Sequence, residues 1–457
     1  MKMKDRNLTR IILFSLLLAS AGSFGTSDAS PPCCSEDPEV SYLLSPQSSQ
    51  RFQYLVRYES FFSRILGKEK GFFIILPEDF YQRPGFKYPV LFLLHGYNFH
   101  RKGVWWKVRS PEKAMKILCE VKEEEYHWLL HEDIALIAYA MMDSRNRTYQ
   151  GLERDLQDRF EELSRSGGLE KKDDSPKEIA QSIAFHNLHP GGNSNDPFHP
   201  IMKMIIVLPD GDNGFYTDEN EGKRLFPGTK DSNPCDRFLP GEAFHYSLLP
   251  FLLMKPGALG RHESYFLEIL HYLDGQASYR DRVLQVRGIG GISMGGFGAM
   301  KLGLKYPHLF QSISSQSGLL DIDLLQDKWM LKMIMPEFLE VFGRLEAAKF
   351  PSSSFLDRNY ILANNPHTLI KEKKIFRLPS WLYFDYGKNE GFHGITGGNQ
   401  NVEKMLNEKL GSHQIPVQPH NGKAAHNNRF WRSRTGNILK HHSDVFREAI
   451  RNNAVRE

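Results

Sequence analysis

The sequence VLQVRGIGGISMGGFGAM, residues 283–300, decides the fold of this chain. Residues 283–286 are typical of a short β-strand, and residues 299–304 have a helical pattern. Glycines crowd both sides of Ser293 between these two segments. The stretch therefore predicts a strand, a sharp turn and a helix, with a serine at the turn.

The glycine spacing around Ser293 indicates a nucleophile elbow, the turn that exposes a catalytic serine. Gly291 and Gly295 lie two residues to either side, where a Cβ would collide with the neighbouring strand or helix. Such a turn lifts the serine hydroxyl clear of the sheet and directs the N–H of Met294 to the place where an oxyanion would form. A dinucleotide-binding loop would need glycine at position 293, and a phosphate-binding loop would end in Gly-Lys-Ser/Thr, so neither fits.

Charge and composition exclude several classes of function. The formal net charge is +4 over 457 residues, which indicates neither nucleic acid nor a membrane surface as a partner. Hydrophobic residues make up 40 %, enough for one large core or two ordinary ones. The chain lacks the Cys/His spacing of a metal site, so no metal is expected.

The N-terminus predicts export. Basic residues precede the apolar run at 11–18, and small residues follow it, so residues 1–29 are predicted to be a signal peptide and the protein to be secreted or periplasmic. The run is too short to span a bilayer permanently, so no stable membrane span is expected after cleavage; an N-terminal anchor that is left uncleaved is the alternative. In an oxidising compartment Cys119 and Cys235, both outside the predicted strands, are expected to form a disulfide. Cys33 and Cys34 are adjacent, and the sequence does not decide their state.

Repeating strand and helix units predict one α/β-hydrolase domain at about 41–450. Its doubly wound, mostly parallel sheet has right-handed crossovers and helices on both faces. The main predicted strands are 72–76, 89–94, 134–139, 204–208, 283–286, 312–317, 378–386 and 415–417. Two long irregular segments, at about 145–200 and 220–256, are interpreted as insertions, the first partly disordered at its centre. We expect both to form a wall or lid at the site.

A serine hydroxyl becomes a nucleophile when a base accepts its proton and an acid orients that base. In this fold the chain order is serine, acid, histidine. Glu390 and His426 follow the last two predicted strands and have the required order after Ser293. Asp385, within the strand, is the alternative acid, and His420 is the alternative base.

The loop after the predicted strand 89–94 supplies the second oxyanion amide in this fold. The N–H of Tyr97 is the candidate. His95 in the same loop is expected to pack the loop, because the histidine of the triad comes late in the chain.

Several segments of the chain resemble the putative esterase, or esterase D, family, which includes S-formylglutathione hydrolases, feruloyl esterases and the mycolyltransferase antigens. The resemblance rests on residues 88–96 (YPVLFLLHG), 215–218 (FYTD), 291–296 (GISMGG), 306–310 (YPHLF) and 387–390 (GKNE), and on His426 with Trp431 five residues later. It implies that Ser293 is the nucleophile, His426 the base and Glu390 the acid. It also implies that the Met294 and Tyr97 amides form the oxyanion hole. The family usually has glycine before the histidine, where this chain has Ala425.

Motif and resemblance together predict a serine hydrolase that cleaves carboxylic esters through an acyl-enzyme. No metal or organic cofactor is needed for this chemistry. The expected substrate is a small-molecule, lipid or sugar ester, and the oligomeric state is not decided. An acyltransferase to a sugar or lipid alcohol, and a catalytically silent binding protein with a hydrolase fold, are the alternatives.

Overall fold

The computed structural model describes a set of segments that hold the central sheet. They are residues 55–97, 131–165, 174–188, 193–212, 214–218, 261–325, 338, 341–342, 357–372, 381–388, 390, 393–410, 417–420 and 426–454. The predicted signal peptide, all four cysteines and the second insertion, 220–256, lie outside these segments. The predicted Cys119–Cys235 disulfide therefore stays a prediction.

In the described segments, eight strands form one sheet. They are β1 (Val56–Ser63), β2 (Lys68–Ile75), β3 (Tyr88–Leu94), β4 (Ile205–Pro209), β5 (Val283–Gly291), β6 (Ser312–Gln316), β7 (Leu382–Gly387) and β8 (Val417–His420). Their order across the sheet is β1-β2-β4-β3-β5-β6-β7-β8. The pairings of β1 with β2 and of β2 with β4 are antiparallel, and all the others are parallel. The predicted mostly parallel α/β-hydrolase sheet is confirmed.

Helices connect these strands. They are α1 (His131–Met142), α2 (Tyr149–Arg165), α3 (Pro176–Gln181), α4 (His262–Gly275), α5 (Ala277–Arg280), α6 (Met294–Lys305), α7 (Arg358–Asn364), α8 (Pro366–Glu372), α9 (His393–Leu410) and α10 (Asn428–Ala454). A short π-helix at Ser182–Asn187 follows α3, and a short 3₁₀-helix at Ile322–Leu325 follows β6. Helices α2 and α3 belong to the first predicted insertion, and Ser175 begins α3 with a capping box to Glu178.

The prediction of a strand at residues 134–139 is wrong, because these residues lie within helix α1. From Asp133 to Met142 every side chain except that of Leu136 is buried. A short apolar run that is buried on nearly all sides has the same pattern in a strand as in a helix. Asp133 binds Arg432 of α10 with an N–O distance of 2.7 Å, which holds this end of the helix against α10.

Helices pack against both faces of strand β5. A Cβ on Gly288 would lie 2.6 Å from Nδ1 of His442 in α10, so glycine leaves room for that ring. Ile289, the next residue, points to the other face of the sheet. On that face a Cβ on Gly303 of α6 would lie 3.4 Å from Cγ2 of Ile289. The strand that leads to Ser293 is therefore fixed between α6 and α10.

His442 is a fully buried link between α10 and β6. Its Nδ1 lies 2.6 Å from Ser312 Oγ and its Nε2 lies 2.8 Å from Ser314 Oγ. Burial, with a smaller contribution from the adjacent His441, lowers the pKa of His442 well below its usual value. Burial also lowers the pKa of His441 to about 4 and that of His262 to about 4. The folded protein therefore holds these imidazoles neutral.

We expect the free energy of unfolding to decrease as pH falls from about 6.5 toward 4. The unfolded chain binds protons on histidines below about pH 6.5, whereas the folded state does not, so acid favours unfolding. Each such histidine costs about 2 kcal/mol of stability at about pH 5. Urea denaturation at several pH values measures this slope. The variant His442→Gln should lower the slope by nearly one proton.

His271, which is exposed on α4, provides the matched control. The variant His271→Gln removes a histidine from the protein surface instead of the interior, and it should leave the pH slope unchanged. If His442→Gln has the same slope as the wild-type protein, the neutral state assigned to His442 is wrong.

Candidate active site

The elbow at Ser293 has the strained geometry that its glycines predict. Ser293 joins β5 to α6 with φ 56° and ψ −114°, a conformation that L-residues rarely adopt. A Cβ on Gly291 would lie 2.3 Å from the carbonyl oxygen of Gly295, and a Cβ on Gly295 would lie 2.1 Å from that of Leu94. Only glycine fits at these two positions, so the sequence requirement follows from the close approach of β3, β5 and α6.

The structure brings Ser293, His426 and Glu390 together in one chain of hydrogen bonds. Ser293 Oγ lies 2.8 Å from His426 Nε2, and His426 Nδ1 lies 2.8 Å from Glu390 Oε2. Because a carboxylate only accepts, Nδ1–H donates to Glu390, and Nε2 is left to accept from the serine hydroxyl. The serine follows β5, the acid lies in the loop after β7, and the histidine lies two residues before α10.

Two further groups bond to the Glu390 carboxylate, whose side chain is fully buried, and Trp431 supports one of them. Ser317 Oγ–H donates to Oε1 at 2.8 Å, and the backbone N–H of Gly387 donates to the same oxygen. The indole N–H of Trp431 donates to Ser317 Oγ at 3.2 Å. The Trp431 and His426 rings pack edge-to-face with their centroids 4.8 Å apart. The roles of Ser317 and Gly387 were not predicted. The sequence signal for Ser317 is its position at the end of the predicted strand 312–317.

Asp385, the alternative acid, has other partners. Its Oδ2 accepts from Tyr383 Oη at 2.9 Å and from Arg434 Nε at 3.4 Å. Its side chain is fully buried, and burial raises the pKa of its carboxyl to about 6. The structure therefore places Glu390, and not Asp385, against His426. His420, the alternative base, is the last residue of β8, and its side chain lies outside the described part of the chain.

The two predicted oxyanion residues, Met294 and Tyr97, flank the nucleophile. Met294 is the first residue of α6, so its N–H belongs to the first turn, where amides have no intrahelical acceptor. Tyr97 lies in the loop after β3, and a Cβ on the preceding Gly96 would lie 3.5 Å from Ser293 Cβ. Both amides thus come from backbone next to the serine hydroxyl.

His95 packs this loop, as predicted. Its Nε2 accepts from the N–H of Gly211 at 3.0 Å, which leaves Nδ1–H to donate to the carbonyl of Gly96 at 2.7 Å. The ring is buried, and burial lowers its pKa. His95 is therefore neutral.

The first predicted insertion reaches the neighbourhood of His426. Asp174 Oδ2 lies 2.6 Å from Arg429 Nε, three residues beyond the histidine. The last residue of the insertion, Pro200, lies near the other end of α10, where Arg447 donates to its carbonyl. Its role as a wall of the site stays a prediction.

Neither a cluster of metal ligands nor a membrane-spanning helix is present among the described residues. Within the described ranges, no group of three or more His, Cys, Asp or Glu side chains could hold a metal ion. No helix among the same residues has the length and apolar character needed to cross a membrane.

Comparison with known proteins gives one family and several similar structures. Residues 264–441 match the family model described as "Putative esterase". This range contains Ser293, Glu390 and His426. No curated protein matches the chain.

The similar solved structures share little sequence with this chain. A ferulic acid esterase is 18 % identical with a TM-score of 0.42, covering 86 % of this chain and 98 % of its own. An S-formylglutathione hydrolase from Agrobacterium tumefaciens is 16 % identical with a TM-score of 0.45, and the match covers 86 % of this chain and 95 % of the hydrolase chain. The Mycobacterium tuberculosis protein MPT51 is 11 % identical with a TM-score of 0.42, and the match covers 85 % of this chain and 98 % of the MPT51 chain.

Proposed function

We propose that this chain, identified by residues 264–441 as a member of the putative esterase family, cleaves carboxylic esters through an acyl-enzyme on Ser293. The family match supports ester hydrolysis in general. The observation that carries the finer proposal is the continuous hydrogen-bond chain from Ser293 through His426 to Glu390, with both distances 2.8 Å. A serine, a histidine and a carboxylate in this order are the parts that acyl transfer requires.

In the proposed first step, Ser293 Oγ attacks the ester carbonyl while His426 Nε2 accepts the hydroxyl proton. The ester carbonyl oxygen becomes an oxyanion, which the N–H groups of Met294 and Tyr97 stabilise. His426 then gives its proton to the leaving alkoxide as the carbon–oxygen bond breaks. Glu390 stabilises the positively charged imidazole throughout, because its carboxylate is held against Nδ1.

In the second step, water takes the place of the alcohol. His426 accepts a proton from the water, whose oxygen attacks the acyl carbon, and then returns a proton to Ser293 Oγ as the acid leaves. Every proton moves between groups of this chain, the substrate and the attacking water. The proposed substrate is a small-molecule, lipid or sugar ester, and no cofactor takes part.

A fluorophosphonate probe tests the nucleophile directly, because it phosphonylates a serine only when a base accepts the hydroxyl proton. We expect one probe per protein molecule, located on Ser293 by peptide mass spectrometry. We also expect turnover of nitrophenyl esters across a series of acyl lengths. The matched control is His426→Gln, which retains the serine but removes the base and should not be labelled. Folded wild-type protein that neither reacts with the probe nor hydrolyses any ester would refute the proposal.

A further inference from the structure

Residues 214–218, which follow β4, contact the loop that carries Tyr97 at two points. The backbone N–H of His95 donates to Tyr216 Oη at 3.2 Å. The ring of Phe215 lies 6.0 Å from the ring of Tyr97. Phe215 and Tyr216 have φ values of 53° and 48°, which bulky residues adopt only where their surroundings hold them. Both side chains are fully buried.

The Tyr216 ring is held between the end of β4 and helix α6. A Cβ on Gly211 would lie 2.3 Å from Tyr216 Cε1, and a Cβ on Gly298 would lie 2.7 Å from Cδ2. Both glycines therefore leave space that the Tyr216 ring fills. The ring cannot shift without moving one of these two backbones, since protein interiors are close-packed.

The backbone of Tyr216 is held by a buried charge on the same helix. Lys301 Nζ donates to the carbonyl of Tyr216 at 2.6 Å and to Thr217 Oγ1 at 2.8 Å. The Lys301 side chain has no exposure, and its charge is balanced by Glu263 at 2.7 Å. Helix α6, which begins beside Ser293, thus fixes both the ring and the main chain of Tyr216.

We infer that Tyr216 is a positioning residue for the oxyanion loop. Its hydroxyl accepts from the backbone N–H of His95 and so sets the first peptide of the loop. The ring of the same His95 donates to the carbonyl of Gly96 and so orients the peptide that carries the N–H of Tyr97. The N–H of Tyr97 then stays directed at the oxygen of a carbonyl bound to Ser293. This inference rests on the proposed acyl-enzyme mechanism and adds the residue that holds its oxyanion donor.

The variant Tyr216→Phe removes the accepting oxygen and keeps the ring. We expect kcat for ester hydrolysis to fall about 10-fold, with KM within about twofold, because the oxyanion forms only in the transition state. The inhibition constant of a boronic acid, which forms a tetrahedral adduct with the serine, should rise by a similar factor. All rates are expressed per site titrated with the fluorophosphonate, so any unfolded fraction is not counted.

Tyr265→Phe is the matched control. Tyr265 is a fully buried tyrosine of α4, and within the described part of the chain its hydroxyl has no hydrogen-bond partner. This variant removes the same atom and should leave kcat and boronic acid affinity unchanged. An equal loss in both variants would indicate general packing and overturn the inference.

The inference and the proposed function fail in different ways. If Tyr216→Phe has wild-type kcat and boronic acid affinity while Ser293→Ala is inactive, only the positioning role is wrong. If Ser293→Ala is fully active, the acyl-enzyme proposal is wrong. Should Tyr216→Phe yield too little folded protein, Phe215→Leu gives a second test, since it removes the ring that contacts Tyr97 and should also lower kcat without raising KM.

Discussion

Replacing Ser293 with alanine should lower kcat for ester hydrolysis by about 10⁴-fold or more. The substitution removes only Oγ, the atom that lies 2.8 Å from His426 Nε2. The backbone strain at this position is unchanged, because alanine has the same Cβ. Thermal unfolding should therefore resemble that of the wild-type protein, and the measurement is kcat on a chromogenic ester with folding checked by circular dichroism.

Ser315→Ala is the control for this substitution. Ser315 is a buried serine of β6, and among the described residues its hydroxyl has no hydrogen-bond partner. Its loss should change kcat by less than about twofold, because the site makes no use of that hydroxyl. Near-wild-type turnover by folded Ser293→Ala would exclude Ser293 as the nucleophile.

Replacing Glu390 with glutamine should lower kcat by about 10³- to 10⁴-fold while KM stays within about threefold. The amide that replaces the carboxylate can direct an N–H toward Nδ1 of His426, which favours the wrong tautomer of the imidazole. The positively charged imidazole of the transition state also loses its counter-charge. Steady-state kinetics per titrated site measure both constants.

Asp385→Asn should affect stability and not kcat. The buried guanidinium of Arg434 loses its charged partner, which typically costs about 3 kcal/mol. Because burial raises the pKa of Asp385 to about 6, the folded state binds a proton at this carboxyl near pH 5 that the unfolded chain largely lacks. The wild-type protein therefore gains stability relative to the variant as pH falls, and the cost of the substitution should be larger at about pH 5 than at about pH 7.5. Urea denaturation at pH 7.5 and 5 tests this. A large loss of kcat in Asp385→Asn, with little change in Glu390→Gln, would identify Asp385 as the acid.

The parts of the site that could be predicted are those set by local chain geometry. The elbow requires glycine at positions 291 and 295, so the turn is recorded directly in the sequence. The positions of Glu390 and His426 follow from the chain order of the fold, once the last strands are recognised. Chain order alone could not choose between Glu390 and Asp385, because the direction of a side chain at a strand end depends on the exact residue at which the strand stops.

The parts that could not be predicted depend on contacts between distant segments. Ser317 meets Glu390 because β6 and β7 are neighbours, and nothing near residue 317 in the sequence specifies that pairing. Strand β5 extends to Gly291, beyond the predicted 283–286, because β3 and β6 supply hydrogen bonds on both sides of a glycine-rich segment that has low intrinsic preference for a strand. Tertiary pairing overrides local propensity here.

Helix α10 connects the base to the most deeply buried part of the fold. The helix begins two residues after His426 and continues for 27 residues, with Arg432 bound to α1, Arg434 to β7 and His442 to β6. Amide hydrogens in such a segment exchange with solvent mainly when the whole domain opens. We therefore expect displacement of the imidazole to be coupled to the opening of α10 and of the elements that this helix contacts.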